Sequence, residues 1–567
     1  MRVSISLGIC HVLRFLRVVA SIFKVASILL FVALVMPMGY ARGDSITNVG
    51  ESIYRHGVLG SGKPLEAVRE ADIRMQGLDA ACVNCHRRSG FGSKAGRIAI
   101  PPITGRYLFH PRDAGVEEPD LPYVVSIRAD RDPYTDDTLA RAIREGLDSE
   151  GKPLNYLMPH FNLGDADMAE LITYLKHLDK PKSPGVKDTV LHFATIITPD
   201  ADPVKARGML DVLEQFFADR NARQRSPTPS MRSSGKTVFS KMMFKVNRLW
   251  ELHVWKLTGE AATWQDQLER HFAKEPVLAV VSGLGGNNWE PIHAFCEHQA
   301  VPCLFPNVEA PPVNADQDFY SIYFSKGVEL EAGLIANRIL KPGSGKAVKV
   351  VQQIYRAGDS GEAGAQALAA AFEHSDVTVR SHVLPPGASG EGVAKAVRQA
   401  ATADALVLWL RPTDLATLGS APVSPDTVYM SGLMGGIEHS QLPTDWRPHT
   451  LLAYPFALPK QRSVGVDFAF GWFRIRHIPV VAEQVQADTF LACGLLSETL
   501  SHMVDTFVPD YLVERFEDTI GHRIITGYYP HLTLAQGQRF ASKGGYLARF
   551  ADLKGTQVVP DGAWIVP

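Results

Sequence analysis

The sequence has little of what marks several large classes of protein. Its 567 residues include only six cysteines, too few for a small fold held together by disulfides, and a chain of this length can bury a hydrophobic core instead. Acidic and basic residues almost balance, with a formal net charge of -2, so the composition predicts no general attraction to nucleic acid or to anionic membranes. The length predicts about three or four compact units.

A long apolar run lies near the N-terminus. Basic residues precede this run at 26–36, and Gly39 and Ala41 are small residues of the kind that a signal peptidase reads. We therefore expect residues 1–41 to be a signal peptide that sends the chain to the periplasm. The alternative is an uncleaved membrane anchor, although the run is short for a helix that spans a bilayer. Any contact with a membrane is expected only through this segment.

Two cysteines stand three residues apart and a histidine follows at once, in the stretch Cys82-Val83-Asn84-Cys85-His86. This spacing is typical of covalent c-type haem attachment, because two thiols within one helical turn can form thioethers to one porphyrin and the imidazole can bind its iron. A zinc site would need a second Cys/His pair at ligand spacing, and the sequence has no other CxxC. A single motif predicts one covalently bound haem c and argues against a two-haem peroxidase.

Residues downstream of the motif offer a support for the histidine and a second iron ligand. A rigid turn at Pro101 and Pro102 has carbonyl groups free to accept a hydrogen bond, and one of them could orient His86. Met158, on a loop before the last helix of this region, is the candidate for the sixth ligand, and His160 is its rival. A His/Met pair raises the haem potential relative to a His/His pair and favours electron transfer over oxygen activation.

Residues 46–180 resemble a mono-haem class I cytochrome c. The resemblance rests on the helix Gly50–Tyr54, the haem motif, the proline turn that ends at Gly105, Met158-Pro159 and the final helix Leu171–Leu178. It implies an all-α domain whose terminal helices cross at residues such as Gly50 and Tyr174. It also implies that a proline carbonyl near Pro102 accepts from the proximal histidine, with the methionine as distal ligand. The implied function is that of a single-electron carrier, working with a periplasmic redox partner protein, and not that of an enzyme.

The sequence changes character after a polar, proline-bearing linker at residues 181–188. From residue 189 to 567, strand-like apolar segments alternate with amphipathic helices, which predicts doubly wound parallel sheets. A break near residues 341–346 separates two sets of these units. We therefore expect a two-lobed α/β domain with a cleft at the carboxyl ends of its strands.

This second region resembles the type I periplasmic solute-binding proteins of the branched-chain amino-acid-binding kind, best at residues 319–324 and 527–539. The resemblance implies two lobes that close like a hinge over a small ligand. The candidate ligand contacts are Asn287 and Asn288 in a glycine-rich loop before a helix, and Tyr355, Asp359 and Ser360 after a strand of the other lobe. Free N–H groups in the first loop favour an anion, but the hydroxyl residue expected there is absent. The two asparagines could equally be helix caps, and an amino-acid ligand is not indicated.

Two further questions stay open at this level. Cys296 and Cys303 could form a disulfide in an exported chain or stay as separate buried residues.

The leading function is a periplasmic electron carrier whose fused module recruits a partner or senses a small ligand. The alternative is a solute-binding or sensing protein of the ABC-transporter type in which the haem domain is accessory. Haem catalysis would require an iron that Met158 does not bind.

Overall fold

The computed structural model describes most of the chain. The described residues are 48–109, 131–178, 183–225, 248–341, 347–420, 423, 425, 427–503, 506–522, 527–552 and 557–567. The expected signal peptide lies outside them, as do residues 181–182 of the expected linker and 342–346 of the expected break. None of the helices in these ranges is long and apolar enough to cross a membrane.

The first domain is built mainly from helices. These are α1 (Val49–His56), α2 (Val83–His86), α3 (Gly105–Phe109), α4 (Asp136–Glu145) and α5 (Asp165–His177). The strands between them are β1 (Glu66–Arg69), β2 (Ile73–Gln76), β3 (Ser93–Ala95), β4 (Ile98–Ile100) and β5 (His160–Asn162). Strands β2, β1 and β5 form an antiparallel sheet in that order, and β3 pairs with β4.

The expectation of an all-α fold for this domain is therefore wrong in one respect. Ala71 and Asp72 adopt positive φ values of 65° and 58°, so the chain reverses sharply and β1 pairs with β2 as a hairpin. In β1, Ala67 is buried between exposed neighbours, which is the two-residue period of a strand. Four-residue segments of this kind are too short for periodicity to separate them from loops or helical turns.

The terminal helices α1 and α5 cross where a glycine allows close approach. A Cβ atom at Gly50 would lie 2.3 Å from the Glu170 carbonyl oxygen and 2.6 Å from the Cβ of Tyr174. One turn further along, the rings of Tyr54 and Tyr174 pack with their centroids 5.3 Å apart. The crossing implied by the resemblance is thus confirmed at the residues that were expected to form it.

The second region contains two parallel sheets of the doubly wound type. The first sheet holds β6 (Val190–Ile197), β7 (Leu249–Lys256), β8 (Ala279–Val281), β9 (Cys303–Leu304) and β10 (Ser321–Ile322). The second holds β11 (Val350–Arg356), β12 (Thr378–Leu384), β13 (Ala405–Trp409), β14 (Val428–Ser431), β15 (Thr450–Tyr454), β16 (Tyr546–Phe550) and β17 (Val558–Pro560). Their orders are β7-β6-β8-β9-β10 and β12-β11-β13-β14-β15-β16-β17, and only β16 runs antiparallel to the other strands of its sheet. Each sheet therefore has a switch point, between β6 and β8 and between β11 and β13, where a crevice can form.

Helices surround both sheets, and the last of them return to the first lobe. They are α6 (Pro203–Arg225), α7 (Trp264–Lys274), α8 (Glu290–His298), α9 (Val328–Leu340), α10 (Ser360–Ala371), α11 (Gly390–Gln399), α12 (Pro412–Leu415), α13 (Gly432–Gly435), α14 (Pro459–Ile475), α15 (Glu483–Met503) and α16 (Pro509–Thr519). Phe490 of α15 packs edge-on against Phe216 of α6, with ring centroids 5.8 Å apart. The hydroxyl of Thr489 lies 3.0 Å from that of Ser282, directly after β8. Helices near the end of the sequence thus complete the lobe that begins the region.

A disulfide joins two neighbouring elements of the first lobe. Cys296 in α8 is bonded to Cys303, the first residue of β9, seven residues further along. Both residues are buried in the same hydrophobic cluster. Of the two alternatives left open by the sequence, the structure therefore has the bridge.

Candidate haem site and domain interface

The haem-attachment residues lie on one short helical turn. Cys82 stands at the N-terminal cap of α2 and Cys85 within it, and both are half-buried free thiols. The His86 N–H closes the turn by donating to the Cys82 carbonyl oxygen at 2.9 Å, and Arg87 ends it with a φ of 67°. Burial raises the pKa of the Cys82 thiol to about 12. Both sulfurs are thus presented from the turn that carries the histidine.

His86 is held by one hydrogen bond and keeps one ring nitrogen for a metal. Its Nδ1 lies 3.0 Å from the Pro101 carbonyl oxygen, to which it donates, while Nε2 has no hydrogen-bond partner among the described residues. Burial lowers the pKa of the imidazole to about 4, so the ring is neutral with a lone pair at Nε2. Together with the two thiols, this donor set fits a covalently bound haem with His86 on the iron.

The supporting carbonyl belongs to Pro101, so the expected proline carbonyl near Pro102 does accept from His86, although Pro102 itself is not the acceptor. The register of the loop is set by a contact across it, because the Ile103 N–H donates to the Gly90 carbonyl oxygen at 2.8 Å. With Ile103 fixed in this way, the exposed Pro101 presents its carbonyl to His86, while Pro102 is buried. Pro101 and Pro102 are adjacent in the sequence, and the hydrogen bond between Ile103 and Gly90 decides which of their carbonyl groups faces His86.

The two candidate sixth ligands have different surroundings. Met158 is half-buried at the edge of the hydrophobic core of this domain, and its N–H donates to the Asn155 carbonyl oxygen at 2.9 Å. His160 is exposed on β5, where it pairs with Val68, and its Nε2 would lie 2.5 Å from a Cβ at Gly146. His160 is therefore packed against a turn at the far side of a strand. Iron ligation by Met158 stays a prediction.

The residue after the proximal histidine is buried in a contact with the second region. Arg87 is 4% exposed, and its guanidinium nitrogens lie 3.0 Å from a Glu517 carboxylate oxygen and 2.9 Å from one of Asp518. The hydroxyl of Tyr54 donates to the Arg87 carbonyl oxygen at 2.7 Å. The backbone of Arg87, next to His86, is thus held by the first domain, and the side chain of Arg87 is held by α16.

A second buried contact follows two residues later. The Ser89 N–H donates to one Glu514 carboxyl oxygen at 3.0 Å, and the Ser89 hydroxyl is hydrogen-bonded to the other. Burial raises the pKa of Glu514 to about 8, although Arg87 nearby acts in the opposite direction. Phe91 belongs to the large hydrophobic cluster of the second region, where its ring centroid lies 4.6 Å from that of Tyr511. Arg87, Ser89 and Phe91 are therefore buried in contact with the other domain.

Charged and aromatic side chains extend this interface around Asp510. One carboxylate oxygen of Asp510 accepts from the Tyr320 hydroxyl at 2.6 Å, and the other lies 3.3 Å from an Arg55 guanidinium nitrogen. The guanidinium of Arg88 stands 4.0 Å above the ring of Phe319. Residues of α1, the haem motif, α16 and the strand region near residue 320 thus form one continuous domain interface.

In the predicted cleft, the glycine-rich loop after β8 already has an anionic partner. The Asn287 N–H donates to a carboxylate oxygen of Asp200 at 2.8 Å, and the Gly286 N–H donates to the Thr198 hydroxyl at 3.0 Å. That hydroxyl donates to the second Asp200 oxygen at 2.6 Å. The chain's own carboxylate therefore stands where an anionic ligand was expected to bind.

The candidate residues on the opposite side of the cleft also bind other side chains of the protein. Asp359 caps α10, and both of its oxygens accept from Arg411, at 3.0 and 2.5 Å. Arg411 also donates to Glu309 of the first lobe at 2.8 Å. The hydroxyl of Ser360 lies 3.5 Å from the side-chain oxygen of Asn287. The lobes thus contact each other directly through the residues that were expected to hold a ligand.

The two remaining cleft candidates have structural roles. The side-chain oxygen of Asn288 accepts from the Glu290 N–H at 3.0 Å, so this asparagine caps α8, which was the alternative considered for it. Tyr355 is buried in the hydrophobic cluster between β11, β13 and their helices.

Sequence reasoning missed the domain interface. Two signals for it were present: Arg87 and Arg88 directly follow the haem motif, and Asp510, Glu514 and Glu517 recur at helical spacing on α16. A basic pair beside a haem site and an acidic helix are complementary in charge. Nothing in the sequence indicates that they meet, because they lie more than 420 residues apart.

The first domain also matches a known family. Residues 76–179 match the family model described as Cytochrome c, so this part of the chain is a cytochrome c domain. The family implies a covalently bound haem, in agreement with the attachment motif in α2. The comparison with curated proteins finds no match.

Solved structures similar to the second region include substrate-binding proteins. A fatty acid ABC transporter substrate-binding protein from Thermomonospora curvata is 12% identical, with a TM-score of 0.47 over 68% of this chain and 95% of that chain. A branched chain amino acid ABC transporter from Thermus thermophilus with bound valine is 12% identical, with a TM-score of 0.48 over 68% and 97%. A leucine binding protein from Thermotoga maritima is 13% identical, with a TM-score of 0.46 over 66% and 99%. The second region has two doubly wound sheets of its own, and these likenesses indicate no ligand.

Proposed function

We propose that the protein is a periplasmic electron carrier with one covalently bound haem, held by Cys82 and Cys85 and ligated by His86 and Met158. A bound haem supplies a one-electron ferric/ferrous couple. The observation that carries the proposal is the burial of residues 87–91 against α16, which ties the proximal side of the iron site to the binding module. The chain then moves electrons between partner proteins and catalyses no reaction of its own.

The side chains around His86 support this role by limiting movement. Pro101 fixes the ring with Nε2 free, and the contacts of Arg87 and Ser89 with α16 fix the backbone that follows. A preorganised site needs little rearrangement when its charge changes. The surroundings of the motif therefore suit an iron that changes its charge by one electron.

The second region of the chain, residues 189–567, is proposed to recruit the redox partner. The loop N–H groups that could bind an anionic solute are satisfied by Asp200 and Thr198, and Arg411 links Asp359 to Glu309 across the lobes. An anionic solute would have to displace these internal contacts before binding. This favours docking of a protein on the module over capture of an amino acid.

Sensing of a small ligand is the second candidate function, and the two-lobed fold favours it. A ligand that changed the contact between the lobes would act on the first lobe, against which α15 and α16 pack. Movement of α16 would move Arg87 and, through the backbone, His86. Such a protein would report binding as a change in haem potential.

Absorption spectroscopy and redox titration of the full-length protein test the electron-carrier proposal. The wild type is expected to give a low-spin reduced spectrum, and Met158→Ala a high-spin one with a lower midpoint potential. Each tenfold preference of the methionine for ferrous over ferric iron corresponds to about 59 mV. His160→Ala, the control two residues away on β5, should change neither the spectrum nor the midpoint potential. A wild-type protein without covalent haem, or a Met158→Ala spectrum identical to wild type, would refute the proposed site.

Thermal unfolding against a set of candidate solutes separates the two roles of the module. A solute that binds the folded state raises the midpoint of unfolding by mass action. If a solute binds and shifts the haem potential, sensing replaces recruitment as the function. If a solute binds without any change in potential or in electron-exchange rate, the haem domain is accessory to solute binding.

A further inference from the structure

The first lobe carries a cluster of metal-binding side chains away from both the haem motif and the cleft. His192 on β6 lies directly opposite Glu251 on β7, and His253 follows two residues later on the same face of β7. Their ligand atoms all lie within 4.8 Å of one another, and no other such group of three was found in the described part of the chain. This cluster was not predicted from the sequence.

The distances within the cluster suit a single ion. Nδ1 of His192 lies 2.9 Å from Nε2 of His253 and 3.7 Å from a carboxylate oxygen of Glu251. Nε2 of His253 lies 3.9 Å from the other oxygen of Glu251. Ligands bonded to tetrahedral zinc at about 2.0–2.1 Å stand roughly 3.3 Å apart, which falls between these separations. Small side-chain movements would bring all three groups onto one ion.

A neighbouring carboxylate prepares His253 for this role. Nδ1 of His253 lies 3.1 Å from a carboxylate oxygen of Glu275. A carboxylate beside Nδ1 favours the tautomer that carries its proton on that nitrogen, which leaves the Nε2 lone pair available for a metal. That lone pair faces Nδ1 of His192, so the two imidazoles converge on the same point.

His192 presents Nδ1 to the cluster. It is 7% exposed, and its Nε2 has no hydrogen-bond partner among the described residues, so its polar contacts go through Nδ1 into the cluster.

We propose that His192, His253 and Glu251 bind a divalent transition-metal ion of the zinc type, with Glu275 orienting His253. Two imidazoles and one carboxylate suit such an ion, and the side chain of Glu251, which is 56% exposed, leaves the fourth position open to water. His192 and Glu251 lie in the amino-terminal halves of β6 and β7 and His253 lies near the middle of β7, whereas the cleft loops follow the carboxyl ends of the strands. The ion would therefore fasten the edge strand β7 to β6.

The test uses the full-length, haem-loaded protein, freed of other metals with a chelator, and zinc chloride as the probe. We expect one equivalent of zinc to bind in a calorimetric titration and to raise the midpoint of thermal unfolding. X-ray absorption at the zinc edge should show nitrogen and oxygen neighbours at about 2.0–2.1 Å with the outer-shell pattern of imidazole. The haem iron does not contribute at that edge.

Two variants and one control decide whether this cluster is the site. Glu251→Gln removes an exposed ligand without disturbing the core and should weaken zinc binding at least tenfold, and His253→Gln should weaken it further. Glu260→Gln replaces an exposed glutamate beyond the end of β7 and should bind zinc like the wild type. Absence of zinc binding by the wild type, or equal affinity in the wild type and both cluster variants, would overturn the proposal.

Discussion

Replacing Arg87 by glutamine should loosen the domain interface beside the iron site. The side chains of Arg87 and Glu517 are 5% and 2% exposed, so the variant leaves a buried carboxylate with one partner fewer. Breaking a buried ion pair costs about 3–5 kcal/mol. Because Arg539 also pairs with Glu517, we expect a loss near the lower end, about 3 kcal/mol. With a urea dependence of about 3 kcal/mol per molar, that is a shift of roughly 1 M in the unfolding midpoint.

The assay is urea unfolding of the full-length, haem-loaded protein, followed by haem absorbance and by far-ultraviolet circular dichroism. Arg88→Gln is the matched control, because its side chain is 28% exposed and contributes mainly a cation–π contact worth about 0.5–1 kcal/mol. In Arg87→Gln, the haem signal should change at lower urea than in the control. If both variants unfold at the same urea concentration, the buried pair does not hold the domains together and the argument for coupling fails.

Two further variants test other contacts. Burial raises the pKa of Glu514, which is hydrogen-bonded to Ser89, from 4.5 to about 8. The folded state therefore keeps a proton that the unfolded state releases. The stability that this proton contributes is lost as the pH rises through about 8. The thermal midpoint of the wild type should therefore fall more between about pH 5 and about pH 9 than that of Glu514→Gln, and parallel curves would contradict this. Gly50→Ala places a Cβ against the Glu170 carbonyl and should cost about 1–3 kcal/mol in thermal unfolding. Gly164→Ala, with no atom within 4 Å of the added carbon, should cost almost nothing, and equal losses would argue against tight packing of α1 on α5.

The parts of the molecule that the sequence predicted well depend on short stretches of chain. The attachment motif is five residues long, and its chemistry follows from spacing within one helical turn. The parallel sheets follow from apolar segments such as Val277–Val281, which read as buried strands whatever surrounds them. The helix crossing at Gly50 followed from the resemblance, and the packing around that glycine confirms it.

The parts that the sequence did not predict depend on contacts between distant residues. The choice of Pro101 over Pro102 is made by the hydrogen bond between Ile103 and Gly90, which local pattern does not contain. Asp200 fills the expected anion site because a loop from another strand reaches it. The strands β1 and β2 have only four residues each, half of them polar, and hydrophobic periodicity cannot identify a strand over so short a stretch.

The interface between residues 87–91 and α16 also sets an order of assembly during maturation. Thioether formation needs accessible thiols that can lose a proton, whereas burial in the folded chain raises the pKa of Cys82 to about 12. The partners of Arg87 lie 430 residues further along the chain, so they are made long after the attachment motif. The contacts of Arg87 can therefore form only after the C-terminal part of the chain has been made. The attachment motif is in the chain before the interface that buries the residues next to it.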